Sequence, residues 1–194
     1  GGSKLYKFQI RISTETGTSP YTTIIDWTDL ITNINADSYL TDWALTSTQF
    51  ETLFEGTTNY VSVRVQDLAG NTSTHIDGFF VLKDTTTPRC VDNEISDRGW
   101  FSSDPGTIWD IDFFDPLTPY RDPGGSKLNN LFYRAKSSTG GVVIDWTTIA
   151  TSLNTTYYIA NFGINFDGLA GGINYIDVRA VDFAGNTTTF IDAF

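Results

Sequence analysis

The chain has 194 residues, room for one large domain or two small ones, with 40% hydrophobic and 14% aromatic residues and a formal net charge of −11. Its apolar share fills ordinary cores and excludes wholesale disorder. The acidic balance disfavours a nucleic-acid partner and an anionic membrane surface, which both want clustered Lys and Arg. A single cysteine, Cys90, excludes an internal disulfide framework, and no apolar run is long enough to cross a bilayer as a helix, so direct membrane insertion is not expected.

In chain order, the sequence predicts strands at 6–14, 22–27, 38–45, 60–65 and 72–82, then at 108–114, 130–137, 141–146, 156–162, 175–181 and 187–194. The clearest is "YVSVRV", where Val61, Val63 and Val65 share one face and Tyr60, Ser62 and Arg64 the other. "YIDVRAV" repeats that alternation, with Ile176, Val178 and Ala180 as the inward set. The loops "DLAGN" and "DFAGN" follow. Gly70 and Gly185 tolerate positive φ there, and Asp67, Asn71, Asp182 and Asn186 can bond their own backbone, so each pair of strands reads as a hairpin. The segment 84–90 reads as a linker carrying Cys90.

These blocks are two copies of one text. "GGSKL" at Gly1 returns at Gly124, "IIDWTDL" at Ile24 is answered by "VIDWTTI" at Val143, and "NYVSVRVQDLAGNTS" at Asn59 by "NYIDVRAVDFAGNTT" at Asn174. Residues 84–123 precede the second copy only, and "FFVLKD" at Phe79 closes the first only. The division is therefore a first repeat over 1–83 and a second over 84–194, each incomplete at its outer end. A chain opening "GGSKL" reads as a piece of something longer.

The stretches "LFEGTTNYVSVRVQDLAGNTS" and "LAGGINYIDVRAVDFAGNTT" resemble the later strands of fibronectin type III-like and bacterial Ig-like repeats, and "VLKDTTTP" resembles the joint between them. The resemblance implies an all-β chain of tandem antiparallel β-sandwiches. The first copy lacks its N-terminal strands and the second its last strand tail. It also implies that Tyr60 and Tyr175 are corner tyrosines whose hydroxyls bond backbone at the turn.

Little points to chemistry. His75, the only histidine, answers to Phe190 in the second copy, so its place accepts an apolar ring, and Cys90 has no histidine neighbour. Carboxylates crowd the start of the second repeat. Of these, Asp84, Asp110, Asp112 and Asp115 are the candidate calcium ligands, against the plainer reading of a solvated acidic face that also takes in Asp122. Asn71, Asn154 and Asn186 begin Asn-x-Ser/Thr triplets that could carry glycans. Trp27 and Trp146, in matching Asp-Trp pairs, read as packing or as sugar-stacking platforms.

The expectation is a non-enzymatic structural segment of a secreted or cell-surface bacterial fibre, stalk, filament or adhesin shaft. Its partners would be copies of itself or adjacent repeats, joined head to tail by strand complementation, with a surface glycan or host receptor as a further partner. The alternative is a carbohydrate-binding or accessory module of a secreted polysaccharide-degrading enzyme or adhesin.

Overall fold

Alternation of apolar and polar residues, broken by Gly, Asn and Asp turns, gives a chain built almost wholly of antiparallel strands. A computed structural model describes residues 2–16, 22–94, 96–116 and 125–194. The chain divides into two compact units, Gly1–Lys83 and Asp84–Phe194.

Unit 1 holds β1 (Leu5–Ser13), β2 (Thr23–Ile31), the short helix α1 (Ser47–Thr52), β3 (Thr58–Asp67) and β4 (Thr72–Leu82). The strands form one antiparallel sheet ordered β2-β1-β3-β4. Ile10, Ile12 and Val61 are fully buried on its inner face, with Leu53 from the segment after α1. The helix was not predicted from the sequence. Its signal is a capping box, in which the Thr46 hydroxyl accepts the Gln49 amide and the Gln49 side chain accepts the Thr46 amide.

Unit 2 holds β5 (Arg89–Asp92), β6 (Ile111–Phe114), β7 (Leu128–Ser137), β8 (Val142–Ala150), β9 (Tyr157–Tyr158), a 3₁₀ turn (Phe166–Gly168), β10 (Asn174–Asp182) and β11 (Thr187–Phe190). Here there are two sheets, β11-β10-β7-β8 and β5-β6-β9. Their shared core joins Trp109, Ile111 and Phe113 of the smaller sheet and its approach to Leu131, Tyr133, Ile176 and Val178 of the larger.

The four-stranded sheets match strand for strand. Val63 pairs with His75, and Val178 with Phe190. Both hairpins close through the same turn: the Asp67 carboxylate accepts the Asn71 amide and side chain, and Asp182 does the same for Asn186. Gly70 and Gly185, at φ +88° and +91°, take the left-handed position that a Cβ would strain.

Two expectations are corrected. The linker over 84–90 ends in β5, which carries Cys90 into the side of the core. Residues 38–45 form no strand. Their counterparts in unit 2, Tyr157–Tyr158, are strand because they pair with β6, and unit 1 has no such partner among its described residues. In unit 2 the last strand is four residues long against eleven in β4, and Ala193 and Phe194 extend the pairing to Ile176 at 2.7 and 2.9 Å.

Candidate functional site

The feature that separates the units is what covers the inner face of the four-stranded sheet. In unit 2 that face lies under β5 and β6, and Val178 and Ala180 are completely buried. In unit 1 the matching Val63 and Val65 are only half-buried, and Phe79 is 42% exposed. They line an open groove of about 710 Å³ together with Phe8, Trp43 and Leu45. Trp43 fills part of it by packing on Phe8 and Phe79, with ring centroids 5.8 Å from each. Its counterpart Phe162 is buried, because Trp109 pairs with it backbone to backbone. Leu40, at the rim, is 90% exposed.

The outer face of each sheet carries the same stack. Trp27 on β2 lies over Arg64 and Arg11, at 4.4 and 5.3 Å from ring centroid to guanidinium carbon. Trp146 on β8 lies over Arg179 and Arg134, at 3.8 and 4.6 Å. Both tryptophans are half-buried. The preceding aspartate fixes the backbone in each case: Asp26 accepts the Trp27 amide at 2.8 Å, and Asp145 the Trp146 amide at 2.7 Å. Ring faces engaged by arginine favour the packing reading of these tryptophans over a sugar platform. The sequence reading assigned these arginines no role over the tryptophans, although Arg11 and Arg64 recur in the second copy as Arg134 and Arg179.

A buried ion-pair cluster sits on the outer face of unit 2. Asp177 is fully buried and is bonded to Arg134 at 2.5 Å, Lys136 at 3.0 Å and the Asp192 amide at 3.0 Å. Burial alone would raise its carboxyl, but the hydrogen bonds from Arg134, the Asp192 amide and Lys136 outweigh burial and hold it below the ordinary aspartate value. Ser62 takes this position in unit 1 and accepts the Asp77 amide at 3.0 Å. Asp77 and Asp192 both take left-handed φ, +49° and +53°, so both copies use a side chain on the neighbouring strand to hold the same kink.

The corner role implied for Tyr60 and Tyr175 is not what the structure shows. Neither hydroxyl makes a hydrogen bond among the described residues, and Tyr175 is 40% exposed. Tyr133 does this work instead, accepting the Asn165 amide at 2.8 Å. Two asparagines missed by the sequence reading also fix the loops. Asn59 is fully buried and bonds Phe54, Thr57 and Val81 backbone, and Asn174 bonds Ala170 and Gly172.

Of the candidate calcium ligands, Asp84 and Asp115 come together, and the third member of their group is Asp182. Asp110 and Asp112 are not in that group: Asp110 faces Asn93 and Glu94, and Asp112 pairs across to Val91 on β5. The spacing of β6 explains this, since it places Asp110 and Asp112 on the half-buried side of the strand whose other side enters the core. Asp122 lies outside the described residues. Among the glycan candidates, Asn154 is exposed in a left-handed turn, whereas the amide nitrogens of Asn71 and Asn186 are held by Asp67 and Asp182. His75 is exposed on β4, and burial pushes the Cys90 thiol up to about 12, which keeps it protonated.

Comparison of the sequence with protein-family models gives no match, and comparison with curated proteins gives none either.

Proposed function

We propose that this chain is a non-enzymatic structural segment of a secreted or cell-surface fibre, stalk or filament, in which repeat units join head to tail by strand complementation. The single observation that carries this reading is that one sheet occurs twice, its inner face covered throughout in unit 2 and left partly open among the described residues of unit 1. In unit 2 the cover is β6 and its approach, whose Trp109, Ile111 and Phe113 point alternately into the core. In unit 1 the matching surface is the open groove. An extended segment of the same pattern, supplied by a neighbouring repeat or a second copy, is the occupant that this groove fits. Donor and acceptor would be different surfaces, so such a contact propagates rather than closing.

The secreted or cell-surface placement rests on the resemblance of the hairpin turns and the "DTTTP" joint to extracellular repeats. The structural role rests on the recurring Arg–Trp stacks and hairpin turns, which serve the sheet itself.

The test adds a synthetic peptide of residues 105–116 to the full chain and follows the unit 1 amide signals by NMR. Binding that shifts Val63, Val65 and Phe79, and that is lost when the peptide carries Ile111→Asp and Phe113→Asp, supports strand lending. No shift at those residues sinks it. A chain that dimerises through the bare face in sedimentation, with the peptide unable to compete, also sinks it.

A further inference from the structure

We propose that Asp84, Asp115 and Asp182 bind one divalent cation, and that this cation is Ca²⁺. The three carboxylates come from separate segments: Asp84 at the start of unit 2, Asp115 just after β6, and Asp182 at the end of β10. Each offers one oxygen, and these oxygens all lie within 4.8 Å of one another. Asp115 and Asp182 are buried, at 0% and 1% exposure.

The hydrogen bonds already present leave an opening for an ion. The Asp84 oxygens accept the Thr86 and Ser126 amides, at 3.0 and 2.5 Å. Asp182 accepts the Asn186 amide and side chain, at 2.8 and 2.9 Å. One Asp115 oxygen accepts the Lys127 amide. Its other oxygen, Oδ1, is buried with no hydrogen-bond partner among the described residues. A buried acceptor without a partner is costly, and so are three adjacent carboxylates. Among the described residues, no Lys or Arg side chain pairs with any of the three. A single bound cation meets both needs. Burial, with repulsion from Asp84 and Asp182, pushes the Asp115 carboxyl up to about 6 even though the Lys127 amide opposes it.

The donor set and its origin in separate segments select the ion. All three ligands are hard carboxylates, with neither imidazole nor thiolate, which suits Ca²⁺ or Mg²⁺ rather than Zn²⁺. Ca²⁺ accepts six to eight oxygens at about 2.3–2.6 Å in flexible geometry, whereas Mg²⁺ demands a near-ideal octahedron, so three carboxylates gathered from three separate segments suit the more permissive ion. The backbone accommodates the cluster at Gly125, where a Cβ would lie 2.5 Å from Asp115 Oδ2. Asn186 ties the arrangement together, since its side chain also donates to the Asp84 carbonyl at 3.1 Å.

Unit 1 supplies an internal control. Asp67 makes the same hairpin turn as Asp182, but it belongs to no carboxylate group among the described residues. Hydrogen bonds from Ser3 and Asn71 hold its carboxyl below the ordinary value. The cation site is therefore a property of unit 2, where the ion pins the smaller sheet to the β10–β11 turn.

The experiment is calorimetric titration of the full, chelator-treated chain with CaCl₂ and, separately, MgCl₂. One Ca²⁺ site is expected, with a dissociation constant of about 10⁻⁵ to 10⁻³ M and weaker Mg²⁺ binding. Asp84→Asn, at the half-buried edge of the cluster, weakens Ca²⁺ binding about tenfold or more, and Asp67→Asn leaves it unchanged. Near-UV circular dichroism checks that both variants are folded. No Ca²⁺ heat up to about 10 mM overturns the proposal. So does equal binding by the Asp84→Asn and wild-type chains, or Mg²⁺ binding as tight as Ca²⁺ binding. None of these outcomes bears on strand lending, because the groove of unit 1 contains none of the three aspartates.

Discussion

Val63 on β3 and Val178 on β10 stand at the same register of matching hairpins, opposite His75 and Phe190, and only Val178 is fully buried. The two strands share the same apolar alternation and the same valine at this position, so the difference does not come from local propensity. It comes from the second layer that β5 and β6 supply in unit 2. The residues around Val63 meet no such second layer among the described residues of unit 1.

That asymmetry predicts unequal mutational costs. Val178→Ala should destabilise unit 2 by about 2 kcal/mol, because it removes buried methyl groups and leaves a cavity. Val63→Ala should cost unit 1 less than about 1 kcal/mol, since its side chain already meets solvent. Equilibrium urea denaturation of each variant measures this, and equal costs would contradict the burial difference.

The Arg179–Trp146 stack should behave as a structural contact. Arg179→Ala is expected to lose about 1 kcal/mol, and Arg179→Lys to recover part of that, because a compact ammonium replaces the planar guanidinium. Titration with soluble polysaccharides should leave tryptophan fluorescence unchanged. Quenching that disappears in Trp146→Ala would instead favour a carbohydrate-binding module.

Asp177→Asn should cost unit 2 about 3 kcal/mol, because it leaves the Arg134 and Lys136 charges without their shared buried partner. The Asp177 carboxyl is held below the ordinary aspartate value of 3.8. Its contribution is therefore complete above that value and is lost as pH falls through the lower folded-state value. Thermal unfolding followed from neutral to strongly acid pH should show a smaller acid loss in the variant than in the wild type.

Cys90 should stay unreactive toward a disulfide reagent at pH 8 in the folded chain and react fully once the chain is unfolded, since burial keeps the thiol protonated. Rapid reaction in the native state would mean that β5 detaches readily from the core.

The sequence by itself determined the main strands of each four-stranded sheet and the hairpins that join them, but not β5, the helix α1 or the absence of a strand over 38–45. Residues such as Val61, Val63, Ile176 and Val178 announce a two-residue period, and Asp67, Gly70, Asp182 and Gly185 announce the turns, because these signals are local backbone preferences. The repeat also located the matching tryptophans. Only the tertiary structure decided what those residues meet. It alone brought Asp182 to Asp84 and Asp115 across about a hundred residues of chain and left Asp110 and Asp112 elsewhere. It alone put arginines over Trp27 and Trp146, gave the corner hydrogen bond to Tyr133 rather than Tyr60 or Tyr175, and left part of one copy of the sheet open among the described residues. The reason is physical: strand period and turn type depend on neighbours in the chain, whereas burial and carboxylate clustering depend on which distant segments share a layer.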